Sequence, residues 1–444
     1  MLTQIANEDS SRLSLWQRVR EFAVPPSMIE TATARRRVGD WAGACAAARV
    51  DVDLNLRSLA RAHGGEVAAR LRADLRHLAP DLLRWHLPRI APDGLLRPGL
   101  TIALARYESQ AADGRRPLLL VVRTPPAWAS AGQRISLALW DGTHAEATAR
   151  RHPHPHPGRR FRLDLHRHLW DTRRTGELPA RSGAEGHDPV DRWAAEARIL
   201  LAAEGRRAGD AAGAVLVRLA GRRRLLLDLA AGEVRVAAAP RAGRAAGLPV
   251  LPDAATWQPP DVALLRAGVI EADRLHPLVA AALAPDHPAP APAHPPAPAG
   301  GPRLVDCRGA RHRIAVVDGV LVPLDHDPVE LRREELLAAL TGTPLPCLRA
   351  VDEAHRRPTG LAEVRARLDH GDTAGALAVV EQLLGSDATL RDGELRDELA
   401  AAVRRRIDHG MFRAGLAEPG THRLPPRRDR PGDHRSRPRH TTCR

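Results

Sequence analysis

Residues 161–170 read FRLDLHRHLW, with an aspartate and two histidines at every second position. In extended backbone Asp164, His166 and His168 share one face, with Leu163 and Leu165 on the other. Two imidazoles and a carboxylate on one face are a donor set for a divalent metal, which can activate water. A second run, His152, His154 and His156, alternates with proline inside the basic stretch RRHPHPHPGRR at 150–160. Such a run can chelate zinc or nickel loosely, but its proline content reads as a passive loop. His326 and Asp327 open HDPVE, which echoes HDPVD at 187–191. An aspartate, a proline and a nearby acid are how helices begin, so both echoes read as caps rather than as a paired site. The four cysteines, Cys45, Cys307, Cys347 and Cys443, lie far apart and form no CxxC. Their spacing suggests neither a disulfide framework nor a zinc site.

The chain has no lysine; all 67 basic residues are arginine. The usual phosphate-binding P-loop, the pyridoxal phosphate Schiff base and the protein-kinase strand lysine are therefore excluded. GxGxxG, GxSxG and HExxH are also missing, and no cofactor is expected. A formal charge of +14 and a pI near 11.1 invite a nucleic-acid reading. The abundance of Ala, Gly, Pro and Arg, however, is that of a GC-rich coding sequence, so part of the charge reads as mutational bias. Residues 417–444 hold eight Arg, three acids and five Pro and read as a disordered tail. Its Arg427, Arg428, Arg430, Arg435, Arg437 and Arg439 could contact phosphates without sequence preference. Residues 59–71, LARAHGGEVAARL, have a faint helix-turn-helix pattern, equally well read as a packed helical hairpin. The polar start and the lack of an apolar run near the roughly 18 to 20 residues needed to span a bilayer predict a cytoplasmic protein.

Two stretches organise the elements around these candidates. Residues 366–378, ARLDHGDTAGALA, and 34–46, ARRRVGDWAGACA, are identical at eight of thirteen positions. Each predicts a helix ending near glycine, a tight corner, and an aspartate-capped second helix of small residues. Leu15, Trp16, Val19 and Phe22 mark a helix over 11–23, after which Ser27 and Glu30 suggest a capping box. Helical periodicity continues over 53–85, broken at Gly64-Gly65 and Pro80. Strands are expected at 101–106, 118–123 and 134–140, then a helix over 188–204 and a three-strand meander at 214–219, 223–229 and 233–238. A helical segment at 262–283 precedes the Pro/Ala run at 284–302. Asp318-Gly319 between 313–317 and 320–324 is a type I′ hairpin signal. From Asp327 to 416 the pattern is helical, with a further echo of RLDHG at 367–371 in RIDHG at 406–410.

The segment at 164–169 resembles the DLHxHL motif that opens the metal-dependent amidohydrolase and polymerase-histidinol-phosphatase families. That likeness implies a metal-dependent hydrolase using Asp164, His166 and His168. The helical ends resemble tetratricopeptide-type repeats, and the whole chain resembles a protein family of GC-rich actinobacteria, a likeness that implies no activity. The expected fold class is α+β: helical N- and C-terminal regions flanking a β-rich, antiparallel centre. Its parts are a helical domain (1–95), a β-rich α+β domain (96–283), a linker (284–302), a β-hairpin plus helical domain (303–416) and the tail (417–444). The expected function is a non-catalytic scaffold or adaptor that binds other proteins through helical-hairpin surfaces. The hydrolase and the nucleic-acid binder are its alternatives.

Overall fold

The computed structural model describes residues 11–111, 114–142, 152–184, 188–206, 213–219, 223–229, 233–239, 247–287 and 302–416. The expected tail, with the six arginines named above, and most of the expected linker lie outside them. The fold is α+β, with helices at both ends and sheets between them. Among the described residues no helix is long and apolar enough to cross a membrane.

The first helix, α1 (residues 11–18), runs into a π-helical turn at Val19–Ala23, and the expected Leu15, Trp16, Val19 and Phe22 are all buried. α2 (Pro26–Arg37) begins with Pro26 at its first position, and its N-cap is Pro25, so the capping box expected of Ser27 and Glu30 does not form. Proline fills the first turn because the amide it lacks has no helical partner there anyway.

Both glycine-aspartate corners form. Gly39 (φ +76°) follows α2, and the Asp40 side chain accepts from the Gly43 amide at 2.7 Å to start α3 (Trp41–Ala47). At the other end Gly371 (φ +82°) follows a helix over Leu361–His370, and Asp372 accepts from the Gly375 amide at 3.2 Å to start Thr373–Leu384. A Cβ on Gly43 or on Gly375 would lie 2.1 Å from the capping carboxylate. This explains why the two stretches share a glycine three residues past the aspartate. RIDHG behaves differently from its echo: it runs through the interior of the helix Glu394–Ala414 and makes no corner.

Short strands in the N-terminal region were not expected. β1 (Val50–Asp53) interrupts the helices and pairs in parallel with β6 (Ile135–Trp140). β4 (Thr101–Ala111) and β5 (Gly114–Arg123) complete a four-stranded sheet, β1-β6-β5-β4, antiparallel apart from β1. A short pair, β2 (Arg89–Ile90) and β3 (Leu95–Leu96), stands apart from it. The helices α4 (Leu56–His63), α5 (Gly65–His77) and α6 (Pro80–His86) join a single core that runs from Leu15 to Val279. Residues either side of position 95 therefore share one interior. The meander β7 (Ala214–Arg218), β8 (Arg224–Asp228) and β9 (Arg235–Ala238) forms a second core with α8 (Pro189–Ala203), after the short α7 (Leu178–Ser182). Three short helices follow: α9 (Asp253–Thr256), α10 (Pro260–Arg266) and α11 (Pro277–Leu283).

The C-terminal unit begins with β10 (Arg303–Cys307), β11 (Ala310–Val317) and β12 (Val320–Pro323), an antiparallel meander. The helices α12 (Pro328–Thr341), α13 (Pro346–Arg356), α14 (Leu361–His370), α15 (Thr373–Leu384) and α16 (Glu394–Ala414) follow. This unit docks on the central sheet. Arg49 donates to the His370 carbonyl at 2.7 Å, and the His370 Nε2–H donates to the Asp93 carbonyl at 2.9 Å. His409 donates to the Ala129 carbonyl at 2.9 Å, Arg413 grips Asp53 of β1, and Trp128 meets Phe412 edge to face. The two DHG histidines thus do equivalent work although only one ends a helix.

Candidate metal centre

Residues 161–170 are not a strand. Arg162 makes one isolated bridge to Ala103, a turn follows, and Arg167–Leu169 is a 3-10 helix. The alternation expected to align Asp164, His166 and His168 is therefore lost. The Asp164 carboxylate receives the Arg162 guanidinium at 2.8 and 2.9 Å. His166 Nδ1–H donates to the Arg162 carbonyl at 2.9 Å, and its Nε2 lies 3.2 Å from Glu196. His168 is buried, and burial, then Arg181, drives it well below the ordinary histidine range. His152 is also a packing residue: it is buried, with Nε2 against the Thr124 carbonyl at 2.9 Å.

Glu196 is the anchor of the first group. Burial alone would raise its pKa, but hydrogen bonds from His166 and Arg181 bring it down to about 2 from 4.5. A carboxyl with a depressed folded pKa stabilises the fold above its ordinary pKa, and that contribution is lost as pH falls toward the folded value. Glu196→Gln is expected to cost about 3 kcal/mol at pH 7. The gap between variant and parent should close between about pH 4.5 and about pH 2 in urea titrations; a gap independent of pH in that window would exclude this role for the charge.

A different set of donors converges. Among the described residues one group could hold a metal ion: Cys307, His312, His326 and Cys347, whose donor atoms all lie within 4.8 Å of one another. Each donor is positioned by local sequence. Arg308 and Gly309, both at positive φ, make a tight turn between β10 and β11. In that register Cys307 opposes Ala310 and Val305 opposes His312. Opposed residues point to the same side and alternate residues share a face, so Cys307 and His312 project together. Asp318 (φ +50°) and Gly319 (φ +75°) then turn β11 into β12 as the type I′ signal predicts. The Asp325 carboxylate accepts from the Arg313 amide at 2.7 Å and pairs with its guanidinium. Arg313 adjoins His312 and Asp325 adjoins His326, so this pair holds the two imidazoles opposite each other.

The fourth donor comes from a helix. Pro346 starts α13, and Cys347 beside it faces the meander from the first turn. His312 Nδ1 lies 2.8 Å from His326 Nε2 and 3.9 Å from the Cys347 sulfur. The first of these is a hydrogen bond between the two rings; tetrahedral zinc sets its N and S ligands about 3.3 to 3.8 Å apart, so the imidazoles would part by about half an ångström to hold it. Both cysteines are fully buried. Burial, then the neighbouring Cys307, pushes the Cys347 thiol up to about 12. Two thiolates would share this space only with a cation between them.

No family model, curated protein or solved structure matches the chain. The site is therefore read from its geometry alone. The sequence spacing of the cysteines suggests no zinc site, yet Cys307 and Cys347 meet in space, with His312 and His326 between them in sequence. His326, read as part of a helix cap, is a donor in the cluster, while Asp327 next to it does cap α12 by accepting from Val329 and Glu330. Cys45 is buried elsewhere in the N-terminal core. The sequence signal that could have found the site was the Asp318-Gly319 hairpin, which brings His312 and His326 to the same end of a ribbon.

The surroundings also fit a metal. The local core beneath the cluster consists of Cys307, Leu345 and Cys347, with Val305 and Leu348 beside them, and α12 contributes no buried residue. Small units with so little apolar interior are commonly held by a disulfide or an ion.

Proposed function

We propose that this protein is a non-catalytic, cytoplasmic scaffold that binds other proteins, and that its C-terminal unit is built around a structural zinc ion. The observation that carries the reading is the closed set of four protein donors, two sulfurs and two nitrogens. Mixed S2N2 donors suit zinc, and four protein ligands leave no position for water or substrate. A catalytic site keeps such a position open. Cys45, Cys307 and Cys347 are free thiols, which suits a reducing compartment. The helical corners at the two ends are the kind of surface a scaffold uses. The alternatives stay distinguishable: a hydrolase would need metal at Asp164, His166 and His168, and a nucleic-acid binder would lose salt-dependent binding when residues 417–444 are removed.

The test is metal analysis of the full chain followed by cobalt substitution. One zinc per chain is expected, with thiolate-to-cobalt charge transfer and four-coordinate bands unchanged by added azide. Cobalt bands that respond to azide would mean an open coordination site and overturn the non-catalytic reading.

A further inference from the structure

The helix α12 is bracketed by two of the metal donors, His326 before it and Cys347 after it. Its inner side, at Leu331, Glu334 and Ala338, is half-buried. At about 100° per residue, Val329, Leu336 and Leu340 line up on the opposite side. They are 60%, 64% and 86% exposed, and Leu337 beside them is 50% exposed. Exposed apolar stripes of this kind mark interaction sites.

The charges bordering the stripe indicate what covers it. Glu330 and Glu334 lie toward the inner side and are taken up by Arg308, which reaches them at 3.2 and 2.6 Å. Arg332 and Arg333 flank the stripe and are exposed. No carboxylate among the described residues lies within ion-pair reach of either. Glu335 stands three residues from Arg332 and Glu330 three residues before Arg333, each about 60° round the helix, but neither pairs with the arginine. The apolar face is therefore edged by guanidinium groups that make no ion pair within the described residues.

We infer that the outer face of α12 docks an amphipathic helix of a partner protein whose apolar stripe is bordered by aspartate or glutamate. This rests on the structural-metal reading, because the ion ties down both ends of the segment that carries α12. Pre-ordering a binding helix removes the ordering cost that would otherwise weaken the complex. Opposite charge at the rim governs association rate and partner choice.

The probe is a fluorescein-labelled synthetic helix with leucines at helical spacing bordered by glutamates, titrated with full-length, zinc-loaded protein. Saturable binding is expected, weakened at least tenfold by Leu336→Glu with Leu340→Glu, both exposed positions whose change leaves the fold intact. Arg332→Glu with Arg333→Glu should transfer the preference to a lysine-bordered peptide, and added salt should weaken the parent complex several-fold. Equal binding by the leucine variant, or no saturation, overturns the inference. So does a dimer in light scattering that Leu340→Glu dissolves, since a second copy would then be the occupant, or equal binding to anionic vesicles. Zinc content is measured on the same samples: a zinc-loaded chain that ignores the peptide sinks the docking surface alone, and a zinc-free chain that binds it sinks the metal reading alone.

Discussion

Cys347→Ser is expected to abolish stoichiometric zinc and to unfold residues 303–356 while leaving the N-terminal core in place. A serine hydroxyl is a poor zinc ligand, and the remaining donors, two histidines and one thiolate, form a weaker and open site. Structural zinc contributes on the order of 10 kcal/mol of binding free energy in small zinc-folded peptides, and that energy is folding energy. The local apolar core of Cys307, Leu345 and Cys347 is too small to replace it. The loss for this unit is expected to be several kcal/mol, read by hydrogen exchange of β10, β11, β12 and α13 before and after chelation. Cys45→Ala removes an equally buried cysteine from another core and should leave zinc content unchanged. Equal exchange with and without metal would sink the structural role even if zinc is present.

Gly371→Ala is expected to cost about 3 to 5 kcal/mol and to loosen the docking of the C-terminal helices on the central sheet. Part of the cost is conformational, since Gly371 sits at φ +82°. The larger part is steric: a Cβ there would lie 2.2 Å from the Gly132 carbonyl oxygen and 2.4 Å from its Cα. Backbone cannot swing aside as a side chain can. The matching corner provides the control, because Gly39 has φ +76° and a Cβ added to it would meet nothing within 4 Å. Gly39→Ala should cost about 1 kcal/mol, so the difference in urea midpoints isolates the contact. The same interface carries His370, which burial, then Arg89 and Arg84, holds down to about 3. A histidine kept neutral in the fold stabilises it above about pH 6.5, and that stability is lost as pH falls toward 3. Equal costs at Gly39 and Gly371 would mean that the two backbones move apart without penalty.

The corners were legible because their signal is local. Gly39-Asp40 and Gly371-Asp372 each need one glycine for the turn, one aspartate for the cap and one glycine to clear that cap, all within a few residues. The hairpin at Asp318-Gly319, the caps at Asp188 and Asp327 and the meander at 214–238 were legible for the same reason. β1 was missed because four residues, Val50–Asp53, stand among helices and owe their conformation to pairing with Ile135–Ala138 far along the chain. The row of Asp164, His166 and His168 misled because alternation aligns side chains only in a strand, and Trp170 and Leu169 pull this segment into the core as turns. The candidate metal centre was hidden because its donors come from a strand end, a second strand, a loop and a helix start. Distance along the chain carries no sign that these four sites meet.

The turn at Asp318-Gly319 gives the C-terminal unit an unusual intolerance to length changes. One residue added there, or removed, would shift β12 against β11 and rotate every facing side chain by half a turn. The imidazole that follows β12 would then point away from the sulfurs. The Gly319 carbonyl also accepts from the Asp387 amide at 2.9 Å, so the same slip would pull the ribbon off the loop behind α15. The count of residues between its two histidines therefore behaves as a fixed dimension, like the bore of a fitting that accepts a single gauge.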